Sequence, residues 1–276
     1  MLEQAQARLA GFLAALASRP LIMGILNLTP DSFSDGGRFQ GLENARAQAQ
    51  VLTQGGADIL DIGAESTRPG HTPVPADEEW RRLEPVLAPL IGEFALPFSI
   101  DTYKAEIAQR ALAAGVSVVN DVWGLQRDPR MAEVVAEAGA GLVVMHNRDA
   151  VEREIDIVED MLRFFERSLT LADRAGIARA KILVDPGIGF GKTRAQNLQA
   201  LRATDRLRGA FGLPVLIGVS RKRMFCEMLG AGVNDRLIAT LAANLATLGR
   251  GASVFRVHDA AEHRAAFTVF EAIENA

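Results

Sequence analysis

The chain carries one cysteine, Cys226, in 276 residues, which excludes an intrachain disulfide framework and suits a reducing cytosol. A small hydrophobe in a short helix is the plain reading of that residue. Histidine is nearly as scarce: only His71, His146, His258 and His263 occur, and they form neither HExxH nor a Cys/His cluster. That argues against a structural or catalytic zinc. No apolar run approaches the ~18 residues that span a bilayer. Residues 2–17 place Leu2, Ala5, Leu9, Phe12, Leu13 and Leu16 on one helical face, but charges interrupt them, so the order of a signal peptide is absent. This stretch reads as a helix stopped at Arg19-Pro20 and packed on the fold, with membrane docking the weaker alternative. Basic residues are not in surplus either. A net charge of -4 excludes a nucleic-acid coat and makes any anion site local. No linker or composition break divides the chain, so residues 1–276 read as one domain with 1–19 as a helical extension.

What the chain does have is a series of short apolar runs, nearly all ending at a polar or ionisable residue. MGIL stops at Asn27, ADILDIG carries Asp61, PFSI stops at Asp101 and VSVV at Asn120 and Asp121. GLVVM stops at His146, KILV at Asp185, PVLIGV at Ser220 and ASVFRV at His258. Such runs predict strands buried on both faces, at 21–26, 58–62, 97–101, 116–120, 141–146, 181–185, 214–219 and 252–257. Helical periodicity fills 43–55, 77–91, 104–114, 129–138, 153–175, 195–209, 234–249 and 260–273. Asp77, Asp128 and Asn234 are candidate caps, and Gly55-Gly56, Gly115, Gly139, Gly176 and Gly249 follow helices where a left-handed residue is wanted. An open doubly wound sheet would alternate in the same way, but its polar residues should cluster at one switch point. Here they follow almost every strand, and the units number close to eight. The expected fold is a (β/α)8 TIM barrel with an extra N-terminal helix and a ring of polar residues at one rim.

Several loops carry possible chemistry. The first, MGILNLTPDSFSDGG, sets Phe33 among turn formers, which suits a lid over an aromatic ligand or a loop anchored by its own Phe. Asn27 at its start is placed to contact a metal or ligand. The second, ESTRPG, offers a hydroxyl and a guanidinium beside a stiffening Pro, and would also pass as a surface turn. The sixth, DPGIGFGK, exposes backbone N–H groups through three glycines but matches neither the Walker A nor the dinucleotide spacing. The seventh and eighth supply Ser220-Arg221-Lys222 and Arg256-Val257-His258, where barrels often bind phosphate. The GxSxG elbow is absent. The carboxylates Asp61, Asp101, Asp121 and Asp185 could in principle serve a glycosidase, but the nearby cations fit phosphate better than a neutral sugar.

Taken together, MGILNLTPDSFSDGG, DIGAESTRPG, FSIDTYK, AGVSVVNDVWG, DPGIGFGK, GVSRK and RVHD resemble the dihydropteroate synthase family of the folate pathway. The matches span nearly all of the chain beyond residue 20. The resemblance implies a TIM barrel, usually a cytoplasmic homodimer, that joins p-aminobenzoate to 6-hydroxymethyl-7,8-dihydropterin pyrophosphate with Mg²⁺ and releases pyrophosphate. It implies that Asp101, Asn120 and Asp185 grip the amino-pyrimidine edge of the pterin and Lys222 its carbonyl side. Asn27 would meet Mg²⁺, and Arg256 and His258 would hold the pyrophosphate. Thr67, Arg68, Pro69, Phe190 and Ser220 would surround p-aminobenzoate, where sulfonamides compete, with Phe33 and Asp35 on the closing first loop. Lys222, Asp101, Asp185 and Arg256 are the residues expected to carry the reaction.

These residue types suit that chemistry. Carboxylates and an amide oxygen accept from the N–H edge of a pterin, and fixed cations stabilise a leaving diphosphate more as its charge grows. An aromatic amine needs no dedicated base. Two departures from the family pattern concern loop shape: no glycine follows Met145-His146 closely, and Arg223-Met-Phe-Cys226 follows Lys222 where a glycine is common. A pterin-dependent methyltransferase would share the barrel but have little use for the cations, and a pterin binder without turnover would not need them.

Overall fold

Alternate residues of the first strand, β1 (Leu21–Asn27), join different apolar clusters: Leu21 and Met23 one, Ile22 and Leu26 the other. Side chains on a strand point to opposite faces in turn, so both faces of β1 are buried. The same parity runs through β2 (Ile59–Gly63), β3 (Phe98–Asp101), β4 (Val118–Asp121), β5 (Gly141–Met145), β6 (Ile182–Asp185), β7 (Leu216–Ile217) and β8 (Val254–Val257). All pairings are parallel, in the order β6-β5-β4-β3-β2-β1-β8-β7. The ends of that order meet where the Val184 N–H donates to the Pro214 carbonyl at 3.0 Å beside a bridge to Val215. The sheet is therefore closed into the expected barrel. This computed structural model describes residues 2–28, 37–65, 72–230 and 236–276, without the side chains of 37–40.

The helices are α1 (Leu2–Ala15), α2 (Gly37–Gln54), α3 (Ala76–Glu93), α4 (Ala105–Ala113), α5 (Met131–Ala138), α6 (Ile157–Ala175), α7 (Arg194–Arg202), α8 (Thr204–Phe211), α9 (Arg223–Leu229), α10 (Arg236–Leu248) and α11 (Ala260–Glu274). Those outside the barrel cover its outward residues: Leu52, Leu87, Ile107, Val135, Phe165 and Phe267 pack with Leu60, Ile100, Val119, Val144 and Phe255. Each fully buried side chain of this kind stabilises the fold by roughly 1.5–3 kcal/mol.

Inside the barrel, Leu21, Met23, Ile59, Val118, Val143, Leu183, Leu216 and Val254 form one cluster, which Leu9 and Phe12 of α1 complete. Helix α1 thus closes the N-terminal mouth. Ser117 Oγ donates to the Ala5 carbonyl (3.1 Å) and Gln6 Nε2 to that of Ala138 (2.8 Å), fixing it there. The barrel takes up Leu9 and Phe12 of its apolar face, with Leu13 and Leu16 packed alongside, while Leu2 stays exposed. Among the described residues no helix is long and apolar enough to cross a membrane.

Several boundaries differ from the sequence expectation. The helix expected at 195–209 is two, broken at Ala203, where Thr204 Oγ1 turns back to the Leu201 carbonyl (2.8 Å). The strand expected at 214–219 keeps only Leu216–Ile217. Asp77 lies within the first turn of α3, whose cap is Pro75, and Asp128 accepts from Ala105 N (2.9 Å) at the start of α4 as well as from Arg130 N (3.0 Å). Asp156 caps α6 instead of a start at 153, accepting from Val158 and Glu159 N–H. Gly139 and Gly176 are left-handed as expected, whereas Gly251 takes the role assigned to Gly249. Asn234 lies outside the described residues.

Candidate active site

One layer above the apolar cluster the inward positions change character. Above Ile59 stands Asp61, above Val118 Asn120, above Leu183 Asp185 and above Val254 Arg256, with Ser99 and Asp101 inward on β3. A cavity of about 970 Å³ opens over this layer. Asn27, Asp101, Asn120, Asp185, Phe190, Ser220, Lys222, Arg256 and His258 all line it. Every predicted site residue that the structure describes is thus gathered in one place, while Phe33, Asp35, Thr67, Arg68 and Pro69 lie outside the described residues.

Not every polar strand end reaches the rim, as the sequence suggested. Asn120 and Met145 point inward, so Asp121 and His146 must point outward. The Asp121 carboxylate accepts from Trp123 N (2.9 Å) and Leu125 N (2.6 Å), shaping a turn in which Leu125 is left-handed at φ 67°. His146 is fully buried against the Phe164 ring, with centroids 4.9 Å apart.

The floor of the cavity is an ion-pair layer. Arg256 Nε donates to Asp61 Oδ2 at 2.6 Å and Nη2 to Asp101 Oδ2 at 2.7 Å, while Asn120 Nδ2 donates to the same Asp61 oxygen at 3.2 Å. In the sequence Asp61 is a strand-run carboxylate and one of four that could serve a glycosidase, not a member of the site. Its signal was burial itself, since a charge inside an apolar run requires a partner. Burial pulls the Arg256 pKa down, but Asp61 and Asp101 outweigh it and hold the guanidinium above its ordinary value. Asp61 Oδ1, Asp101 Oδ1 and Asn120 Oδ1 remain buried without a hydrogen-bond partner. Such acceptors cost free energy until a donor arrives.

Asp185 extends this acceptor set, its Oδ1 taking the Gly187 N–H at 2.7 Å. Burial pushes Asp185 up to about 6, against the Gly187 N–H and Lys222, and pushes Asp101 up to about 7, against Arg256. The turn beyond Asp185 lies directly on β5: a Cβ at Gly187 (φ +64°) would stand 1.8 Å from the His146 carbonyl oxygen. Only glycine fits there. Across the cavity Lys222 Nζ lies 4.4 Å from the Phe190 ring centroid, a cation–π distance. Ser220 Oγ accepts the His258 backbone N–H (3.2 Å) and pairs with His258 Nδ1 (2.9 Å), so the seventh and eighth loops are tied together.

A network missed in the sequence joins described residues on either side of the second loop. Lys104 Nζ pairs with both Glu65 and Glu79, and Glu65 also accepts from Tyr103 OH (3.0 Å) and Val74 N (3.3 Å). Glu65 and Val74 flank the loop, so its two described ends are bound to one ammonium. For a metal, the described residues offer no group of three or more His, Cys, Asp or Glu. Asn27 is exposed at the tip of β1 and lines the cavity. One amide oxygen suits a hard cation that takes most of its oxygens from a bound anion and water.

The family of pterin binding enzymes matches residues 23–258. Dihydropteroate synthase of Clostridium beijerinckii is 42% identical over 249 residues, covering 90% of this chain and 92% of that protein. The dihydropteroate synthase of Clostridium difficile, solved in the presence of pteroic acid, superposes with a TM-score of 0.90 at 44% identity, over 94% of this chain and 98% of that one. The Xanthomonas albilineans enzyme with 4-aminobenzoic acid gives 0.89 at 43% identity, over 94% of each chain.

Proposed function

The chain belongs to the pterin-binding enzymes and among them to the dihydropteroate synthases, and from that premise we propose how its cavity divides between the substrates. The protein is a transferase of folate biosynthesis that condenses 6-hydroxymethyl-7,8-dihydropterin pyrophosphate with p-aminobenzoate, giving 7,8-dihydropteroate and pyrophosphate. The observation that carries the division is the asymmetry of the cavity: unpartnered acceptors of Asp61, Asp101 and Asn120 on its floor, and Lys222, Ser220 and His258 on the seventh and eighth loops.

In this reading the N–H edge of the pterin lies against Asp101, Asn120 and Asp185, the Oδ1 atoms of Asp101 and Asn120 gain donors, and Lys222 donates to the ring carbonyl. Arg256 spends Nε and Nη2 on carboxylates, which leaves Nη1 for the diphosphate beside His258. Phe190 and Ser220 border p-aminobenzoate, and the family resemblance adds Thr67, Arg68 and Pro69 there and Phe33 and Asp35 on the first loop. Substitution runs through a dissociative, cation-like transition state on the pterin methylene: the C–O bond to the diphosphate breaks and pyrophosphate leaves, the amine nitrogen bonds to the methylene carbon, and its proton passes to water. The cations favour this step because negative charge grows on the leaving oxygens as that bond lengthens. Holding ring and amine in line contributes the rest. Asn27 would hold Mg²⁺ through its amide oxygen, and the ion, when bound, neutralises part of the diphosphate charge. A cytoplasmic homodimer completes the proposal, supported by the single cysteine and by the family resemblance.

The direct test mixes purified protein, Mg²⁺, the pterin pyrophosphate and p-aminobenzoate and follows pyrophosphate. Release should depend on p-aminobenzoate and yield dihydropteroate. Release at the same rate without the amine would overturn the assignment.

A further inference from the structure

Lys192 ends the glycine-rich turn and is nearly as buried as the core, at 7% exposure. Its Nζ donates to the carbonyls of Gly187 (2.9 Å) and Phe190 (3.1 Å) and to His146 Nδ1 (2.7 Å). Burial pulls the Lys192 pKa down to about 7; in its protonated form the amine only donates, so Nδ1 accepts and the imidazole hydrogen sits on Nε2, which faces Asp160 Oδ2 at 3.1 Å. Arg148 Nη1 meets the same Asp160 oxygen at 2.5 Å. A relay therefore runs from Asp160 on α6 through His146 at the end of β5 to Lys192 beneath the turn.

Besides Lys192, the fully buried Ile188 side chain and the Gly187 N–H on Asp185 Oδ1 anchor the turn. Gly187, Gly189 and Gly191 are all left-handed, at φ 64°, 85° and 56°, and contribute no side-chain packing. Such a segment loses much conformational freedom on ordering. Lys192 binds it from below at two carbonyls, and Asn197 Oδ1 accepts from Gly189 N (2.7 Å). The aromatic side chain that the turn presents to the cavity beside Lys222 is Phe190.

We propose that Lys192 is a positioning residue for the amine substrate: by holding the carbonyls of Gly187 and Phe190 it fixes the Phe190 ring as a wall of the p-aminobenzoate subsite. The proposal rests on the division of the cavity given above. Lys192 is not itself placed against the pterin, and the Gly187 N–H on Asp185 is what links this turn to the pterin edge, so p-aminobenzoate should respond more strongly than the pterin.

The experiment compares Lys192→Met, Phe190→Leu and the double variant, measuring KM for p-aminobenzoate, kcat and the Kd of the pterin pyrophosphate. Lys192→Met should raise KM for p-aminobenzoate about tenfold, the factor that accompanies loss of a charge-assisted hydrogen bond. The pterin Kd should stay within about twofold. If Lys192 acts through Phe190, the double variant should be no worse than Phe190→Leu alone. Additive effects, an unchanged KM, or an equal loss of pterin affinity would each overturn the proposal. Should Lys192→Met fail to fold, His146→Ala, which removes one acceptor of the ammonium, decides by the same criteria with a smaller expected rise. Wild-type protein without amine-dependent pyrophosphate release would refute the functional reading itself, a separate outcome from any change among the variants.

Discussion

Acidification should weaken pterin binding, and the structure sets both sign and slope. Burial raises Asp185 to about 6 and Asp101 to about 7, so the empty site holds protons there that an ordinary carboxylate would have released. A pterin edge presents N–H donors, which favour the ionised carboxylates. Binding therefore expels protons below those values. Each expelled proton costs a factor of about ten, or ~1.4 kcal/mol, per pH unit. With one to two protons involved, Kd should rise about ten- to a hundredfold between pH 6 and pH 5 and flatten above pH 7. The ligand of choice is 6-hydroxymethyl-7,8-dihydropterin, which has no diphosphate to titrate, followed by calorimetry in two buffers of different ionisation enthalpy to count the protons. Asp185→Asn should lower the slope by about one unit while weakening binding at pH 8. Affinity independent of pH from 5 to 8, or proton uptake on binding, would refute the reasoning. The same linkage makes these two carboxylates a stabilising influence on the empty fold at low pH. Their contribution falls as pH rises from about 4, where the unfolded chain loses the protons, to 6–7.

Other outcomes follow from single contacts. Lys222→Ala should lower kcat/KM about ten- to a hundredfold, the equivalent of ~1.5–3 kcal/mol, in the pyrophosphate assay; an unaltered value would displace Lys222 from the chemistry. Leu9→Ala empties part of the plug at the N-terminal mouth, where Leu9 is 1% exposed, and should cost ~2–5 kcal/mol in urea unfolding with kcat largely retained. Asp160 is held below the usual carboxylate range by the His146 N–H and by Arg148, against burial. Its contribution is fully present above pH ~4 and declines as pH falls towards the depressed pKa, so Asp160→Asn should cost ~1.5–3 kcal/mol at pH 7 and about 1 kcal/mol less at pH 3. An equal cost at both would assign the effect to packing.

The barrel was legible because each strand is a short apolar run with a marked end, and MGIL, KILV and ASVFRV announce themselves without help from their neighbours. What a run cannot disclose is which of two adjacent polar residues turns inward. Asn120 and Asp121 look alike in sequence, yet one lines the cavity and the other caps a turn. Met145 and His146 divide the same way. The break at Ala203 has no glycine or proline to signal it. In the site, the residues grouped by resemblance converge, but the partners that balance them are tertiary facts. Asp61 under Arg256, Lys104 between two glutamates, and Lys192 folded beneath its own loop depend on side chains far away in the chain.

The oxygens left without donors on the cavity floor have a wider meaning. Three floor oxygens that receive no donor from the protein give a ligand's N–H groups more to gain there. Ligands should accordingly raise the melting temperature by more than their contact area alone suggests. Substitutions that quieten the floor would harden the scaffold while dulling the enzyme, so endurance and activity pull against each other at this one level of the cylinder.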